Sequence, residues 1–155
     1  MTDVNLSNAR DLRDHYDNNI DELKDNLRAS GADVDGSRTI GAYIGATGGL
    51  AGVVGAETQL AYAYDQDTGE SYVFGYSGAT FGVGSPLPGA AQFGGFTFTG
   101  DPTGLRGISG GFQGAAGVAG GVSINPQGEI LAQYGVETDL SAEFTVGFGQ
   151  QILPL

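Results

Sequence analysis

Nearly all of the 29 glycines in this chain fall after residue 35, on stretches whose other residues read as β-strands. Glycine weakens a strand, because it offers no side chain to pack and loses more entropy on ordering than any other residue. A sheet that keeps so many must use them, and a tightly curved, closed sheet does: large apolar side chains fill one face while glycines permit bending and close backbone approach. The predicted fold class is mainly β, a closed antiparallel eight-stranded β-barrel preceded by an N-terminal α-helix.

Period-two patterning and turn chemistry divide the chain after Arg38 into eight strands. They are expected near Thr39–Gly48, Leu50–Tyr64, Ser71–Val83, Ala91–Thr99, Arg106–Gln113, Ala115–Ile124, Glu129–Val136 and Ser141–Gln150. Asp65-Gln66-Asp67-Thr68-Gly69 supplies hairpin residues, and Asn125-Pro126-Gln127-Gly128 fits a type I turn followed by a left-handed glycine. Prolines make longer corners of Ser85–Gly89 and Gly100–Gly104.

One parity carries most of the bulk: Leu60, Tyr62 and Tyr64; Tyr72, Phe74 and Tyr76; Phe96 and Phe98; Val118, Val122 and Ile124; Ile130, Tyr134 and Val136; Phe144, Val146 and Phe148. That parity is expected to face the core. The other is mostly Gly, Ala, Ser and Thr, which predicts a bare outer surface. Such a surface either reflects the tolerance of a coiled barrel or lies against a partner or lipid.

The segment before the glycine-rich region has a different character. Leu12, Tyr16, Ile20, Leu23 and Leu27 recur at helical spacing, so one amphipathic helix is expected over about Leu6 to Ala29, with Ser7 as N-cap and Ser30-Gly31 as its stop. A short polar hinge, Gly31 to Gly36, would divide residues 1–36 from a barrel at 37–155. Those five apolar residues form a candidate interaction face. It would dock on the barrel, pair with another helix to give a homo-oligomer, or fray in solution.

Charge and composition exclude several function classes. With 6 basic against 18 acidic residues, and a net charge of −12, the chain lacks the cations that displace counterions from a phosphate backbone, so no nucleic-acid partner is expected. There is no cysteine, and His15 is the only histidine, which removes disulfides, thiolate metal sites and multi-histidine centres. No apolar run approaches the ~20 residues of a transmembrane helix, and no signal-peptide pattern follows Met1.

Motifs for catalysis are equally sparse. The acidic run Asp65–Glu70 has the oxygens of a calcium loop but lies between strands, where a hairpin explains it better. Glu57, Glu137, Asp139 and Glu143 are the candidates for paired carboxylates, yet their spacing selects no pair. A serine nucleophile would need a base, and His15 and Lys24 both lie on the helix. Gly107–Gly111 and Gly114–Gly117 lack the strand-loop-helix setting of a phosphate cradle. The expectation is a protein that is not an enzyme and has no cofactor.

Between Gly94 and Gln150 the pattern resembles the virulence-associated proteins of pathogenic actinobacteria, the Vap family. The residues carrying the likeness are Gly95-Phe96-Thr97-Phe98-Thr99-Gly100-Asp101, Leu105, Phe112-Gln113, Ile130-Leu131-Ala132-Gln133-Tyr134-Gly135 and Thr145-Val146-Gly147-Phe148-Gly149. The resemblance implies an eight-stranded antiparallel barrel, a secreted or cell-surface location, no enzymatic site, and action through contact with a host membrane or protein. A structural or assembly subunit and a small-ligand-binding barrel are the alternative readings.

Overall fold

A computed structural model describes residues 3–50, 54–84, 90–116, 119–137 and 140–153, with side chains described at 7–45, 59–79, 94–111, 121–134 and 146–153. Two helices, α1 (Asp3–Asp17) and α2 (Ile20–Ala29), precede eight strands: β1 (Thr39–Leu50), β2 (Val54–Asp65), β3 (Ser71–Gly84), β4 (Ala90–Phe98), β5 (Gly107–Ala116), β6 (Ala119–Ile124), β7 (Ile130–Glu137) and β8 (Leu140–Leu153). Every neighbouring pair is antiparallel, and the order β1-β2-β3-β8-β5-β6-β7-β4 closes on itself. Closure leaves no strand without a neighbour on either side.

The turns follow their chemistry. Asp65 to Glu70 closes the β2–β3 hairpin through Asp65 N–H to Glu70 O at 2.9 Å and Gly69 N–H to Asp65 O at 2.8 Å, with Gly69 at φ 77°. Gly128 takes φ 81° after the Asn125 turn. Between β4 and β5 a short 3-10 helix, Pro102–Leu105, crosses one end of the barrel, capped by Asp101 with Pro102 in its first turn. The corner at 85–89 lies outside the described residues.

The expected single helix is two. Asn19 breaks it: its backbone leaves helical geometry at φ −131° and ψ 31°, while its side chain donates to His15 O at 2.6 Å. Asparagine side chains compete in this way for backbone groups, an effect that periodicity alone does not register. Ser7 lies inside α1, not at its N-cap. The segment after α2 is also no polar hinge, since Ala32 and Val34 are buried in the core beneath the helices.

The assignment of bulk to the interior holds for β3 and β4. Phe74, Phe96 and Phe98 form the inner cluster with Tyr43 and Ala63, and Tyr72 packs against it. Tyr76 also lines the interior. Strand register then fixes the rest: Tyr76 pairs with Gly149, Gly149 with Gly107, Gly111 with Ser123, and Ser123 with Leu131. The inward positions facing these rings are thus Gly107, Ser109 and Gly111 on β5, Ser123 on β6 and Gly147 and Gly149 on β8, and the bulky parity beside them turns outward. Leu60, Tyr62, Tyr64, Val122, Ile124, Ile130, Tyr134, Val146 and Phe148 all lie on the outside, contrary to the expected core face. Volume is the reason, because an eight-stranded barrel holds few rings and large groups on one wall need small ones opposite. At Gly147 an added Cβ would overlap the Tyr76 ring. The side chains of Val118, Val136 and Phe144 are outside the described set.

The helices cover most of the outward apolar residues of β1–β4. Leu23, Leu27, Ala32 and Val34 share a cluster with Ile40, Ala42 and Tyr62, and Leu12, Tyr16, Ile20, Tyr64 and Tyr134 pack at its margin. Leu27 lies over Gly95, whose missing side chain makes room for it. Ala9 joins Val73, Ile152 and Leu153 in a second cluster. Asp17 fastens the layer, accepting from Tyr62 Oη at 2.6 Å and Ser71 Oγ at 3.1 Å. Burial, together with the Asp17 carboxylate, pushes the Tyr62 phenol well above its usual range. Leu27 is only 2% exposed, so Leu27→Ala is expected to cost about 2–5 kcal/mol in urea unfolding, whereas Leu12→Ala, at the margin, costs less.

At the barrel end, burial alone would raise the Asp65 pKa, but Arg38 and the Asp67 N–H hold it below the ordinary carboxylate range. Arg38 donates to its two oxygens from Nε at 3.3 Å and Nη2 at 3.2 Å. Folded Asp65 binds a proton less tightly than unfolded Asp65. Its stabilisation is therefore complete above the unfolded pKa and disappears as pH falls through the folded one. Urea midpoints measured from pH 7 down to 2 should fall on acidification, and Asp65→Asn should flatten that limb while lowering the midpoint at pH 7.

Candidate interaction surface

Away from the helices, which among its described residues reach only Tyr134 of β7 and Ile152 and Leu153 of β8, the wall formed by β8, β5, β6 and β7 carries a group of uncovered apolar residues. Its outward side chains are Phe148 and Val146 on β8, Ile108 on β5, Val122 and Ile124 on β6, and Ile130 on β7, each between 41% and 62% exposed. The register makes them one patch: Ile108 pairs with Phe148, Gly110 lies between Val146 and Ile124, and Ile124 pairs with Ile130. Ile44 on β1, also exposed, stands apart from this group. Scattered surface hydrophobics are ordinary, whereas a continuous group spanning four strands is a candidate interaction face.

One edge of the wall is organised by a polar turn. Asn125, buried between β6 and β7, donates from Nδ2 to Gly104 O at 3.0 Å and Glu129 Oε1 at 2.9 Å. Its Oδ1 accepts from the backbone N–H of Gln127 and Glu129 at 3.2 and 2.9 Å. This residue holds the turn to the 3-10 helix that plugs the barrel end. Across the gap, the Arg106 guanidinium donates to Gln151 Oε1.

The sequence-derived candidates occupy the opposite side. Leu12, Tyr16, Ile20, Leu23 and Leu27 are brought together, but against their own barrel, with Leu23 and Leu27 buried and the other three half-buried. His15 is exposed, its ring edge-on to Tyr16. The side chains of Glu57, Glu137, Asp139 and Glu143 fall outside the described set. Among the described residues no three histidines or carboxylates converge as metal ligands. No described helix is long and apolar enough to cross a membrane.

The exposed patch was absent from the sequence reading because the same alternation signals either face of a sheet. Register could have found it. Once Phe74 and Tyr76 are placed inside, each pairing step around the barrel carries that choice to Gly149, then to Phe148 outside.

Two solved structures are similar to this chain. The virulence-associated protein VapD of the intracellular pathogen Rhodococcus equi aligns with TM-score 0.48 and 14% sequence identity, covering 74% of this chain and 98% of its own. The virulence-associated protein VapB of Rhodococcus equi aligns with TM-score 0.47 and 13% identity, covering 72% and 97% respectively. No protein-family model matches the sequence, and no curated protein matches it.

Because the wall residues are about half exposed and lie under no other element among the described residues, polar replacement should leave stability almost intact. Phe148→Ser is expected to change unfolding free energy by about 0.5 kcal/mol or less, while Phe96→Ala costs about 3–5 kcal/mol. Fluorescence of an anilinonaphthalene sulfonate probe with native protein should drop in Phe148→Ser and in Ile124→Ser. Unchanged fluorescence in both would mean the wall is not the apolar surface the probe finds.

Proposed function

We propose that this protein is a non-enzymatic effector or surface protein that works by contact, its β8-β5-β6-β7 wall binding the apolar face of another protein. The observation carrying this reading is the set of six exposed apolar side chains in one register-defined patch. The groups with displaced proton affinity support it from the other direction. Asp65 with Arg38 and Tyr62 with Asp17 are structural pairs, fastening a hairpin and a helix. A secreted or cell-surface location and action on a host belong to the same proposal, supported by the sequence pattern between Gly94 and Gln150.

Size and charge narrow the partner. Four strands spaced about 4.8 Å apart give a patch of roughly a few hundred Å2, short of the ≈ 800 Å2 per side of a stable interface. A lasting symmetric dimer through this wall alone is therefore disfavoured. The net charge of −12 opposes approach to anionic lipid and favours a partner that is apolar at its centre and basic at its rim.

A photoreactive phenylalanine analogue at position 148, compared with one at Asp14 on the exposed side of α1, tests the reading in cells or host extract. One discrete protein adduct is expected from 148 and none from 14, abolished by Ile124→Glu and reduced at high salt. Equal adducts from both positions, or none from 148, would sink the proposal. Flotation with phosphatidylcholine vesicles, lost in Ile124→Glu, would replace the protein partner with a lipid surface.

A further inference from the structure

The barrel interior is not completely filled. A cavity of ≈ 80 Å3 lies between the rings of Tyr76, Phe96 and Phe98 and the small residues of the opposite wall, with Leu131 and Ser109 also on its lining. It arises where aromatic side chains face glycine and serine and do not quite reach them. The β5–β6 ladder begins only at Gly110 and Ile124, so Gly107 to Ser109 bond to β8 alone and face the Asn125 turn across a gap. Ile108 and Ile124 stand at this mouth, together with Arg106, Asn125 and Glu129. Two of the mouth residues are thus members of the exposed wall.

The dimensions select a class of occupant. Small-molecule sites usually measure about 300–1,000 Å3, which excludes a ligand of that kind. An engineered apolar cavity of about 150 Å3 accepts benzene; half that volume holds roughly three carbons. The lining is mainly carbon, and the mouth opens within the apolar wall itself.

We propose that this cavity is the anchor socket of the wall, taking the tip of a short aliphatic group through the gap between the start of β5 and the Asn125 turn. In a bound complex the group is an aliphatic side chain of the partner, a source that rests on the contact reading above. The socket's own chemistry does not. Buried aliphatic anchors surrounded by a water-excluding rim are where interfaces concentrate their affinity, and this one would let a small patch hold a partner specifically.

Titration with the normal alcohols from ethanol to hexanol, followed by NMR of Leu105, Leu131 and Phe98, tests it on the full chain. Affinity is expected to rise about fourfold per methylene until about three or four carbons are bound, then to level off. Ser109→Val and Ala61→Val, which fill the socket from different sides, should each weaken butanol at least tenfold with unchanged near-ultraviolet circular dichroism. Phe148→Ser should leave it unchanged, so a failed socket and a failed wall are told apart. No saturable response, as from a socket held by water, overturns the proposal. So does a response confined to Phe148 and Val146, or one that both filling variants leave intact.

Discussion

Closure of eight strands around a fixed volume is the constraint from which the other features follow. Tyr43, Phe74, Tyr76, Phe96 and Phe98 claim the interior from β1, β3 and β4. The facing wall presents small residues, Gly107, Ser109, Gly111, Ser123, Gly147 and Gly149: a Cβ at Gly147 would meet the Tyr76 ring and one at Gly111 or Gly149 the neighbouring backbone, while Gly107 is fixed by its φ of 89°. Alternation does the rest. Whatever lies beside those small residues on β5, β6 and β8 points outward, and there it is isoleucine, valine and phenylalanine. The same closure that makes the core also makes the exposed wall.

On the other half of the barrel the outward positions are equally apolar, and the helices resolve that by covering them. Ile40, Tyr62 and Val73 are fully buried beneath or beside α1 and α2 despite facing away from the barrel axis. Short helices of this kind are marginal alone, so their stability comes from the sheet they lie on. Tyr62 shows how the layer is fixed. Its ring stacks on Tyr16 at 5.2 Å between centroids while its hydroxyl donates to Asp17, so one strand residue holds α1 by packing and by a charge-assisted hydrogen bond. The molecule thus has one wall dressed by its own chain and another, of similar composition, left open.

Much of the architecture was legible in the sequence for local reasons. Turn residues such as Asp65–Gly69 and Asn125–Gly128 act through their own backbone preferences, so the strands between them could be placed. The helical stripe from Leu12 to Leu27 was legible through its period, and its packing against β1–β4 gives it a partner within the chain. What was not legible depends on register. Phe74 and Phe148 carry a similar local signal, a strand ring followed by glycine, yet one is 2% exposed and the other 54%. Only the chain of cross-strand pairs around the barrel separates them, and no window of sequence contains it. The break at Asn19 was missed for a different reason, since a periodic stripe can continue across a turn that its polar face introduces.

An uncovered apolar wall invites self-association, and two properties of this molecule oppose it. Closure gives every strand a neighbour on both sides, so no whole strand is left as a backbone template on which another sheet could grow. The charge of −12 makes two copies repel as they approach, while a patch of a few hundred Å2 returns too little on contact to hold them. The same two properties act in the opposite sense on a basic partner, for which long-range attraction speeds encounter and the wall supplies the short-range contact. If the wall binds a partner as proposed, a molecule of net charge −12 with an apolar face would discriminate by sign before it binds by surface. That combination lets the wall remain exposed without becoming indiscriminate.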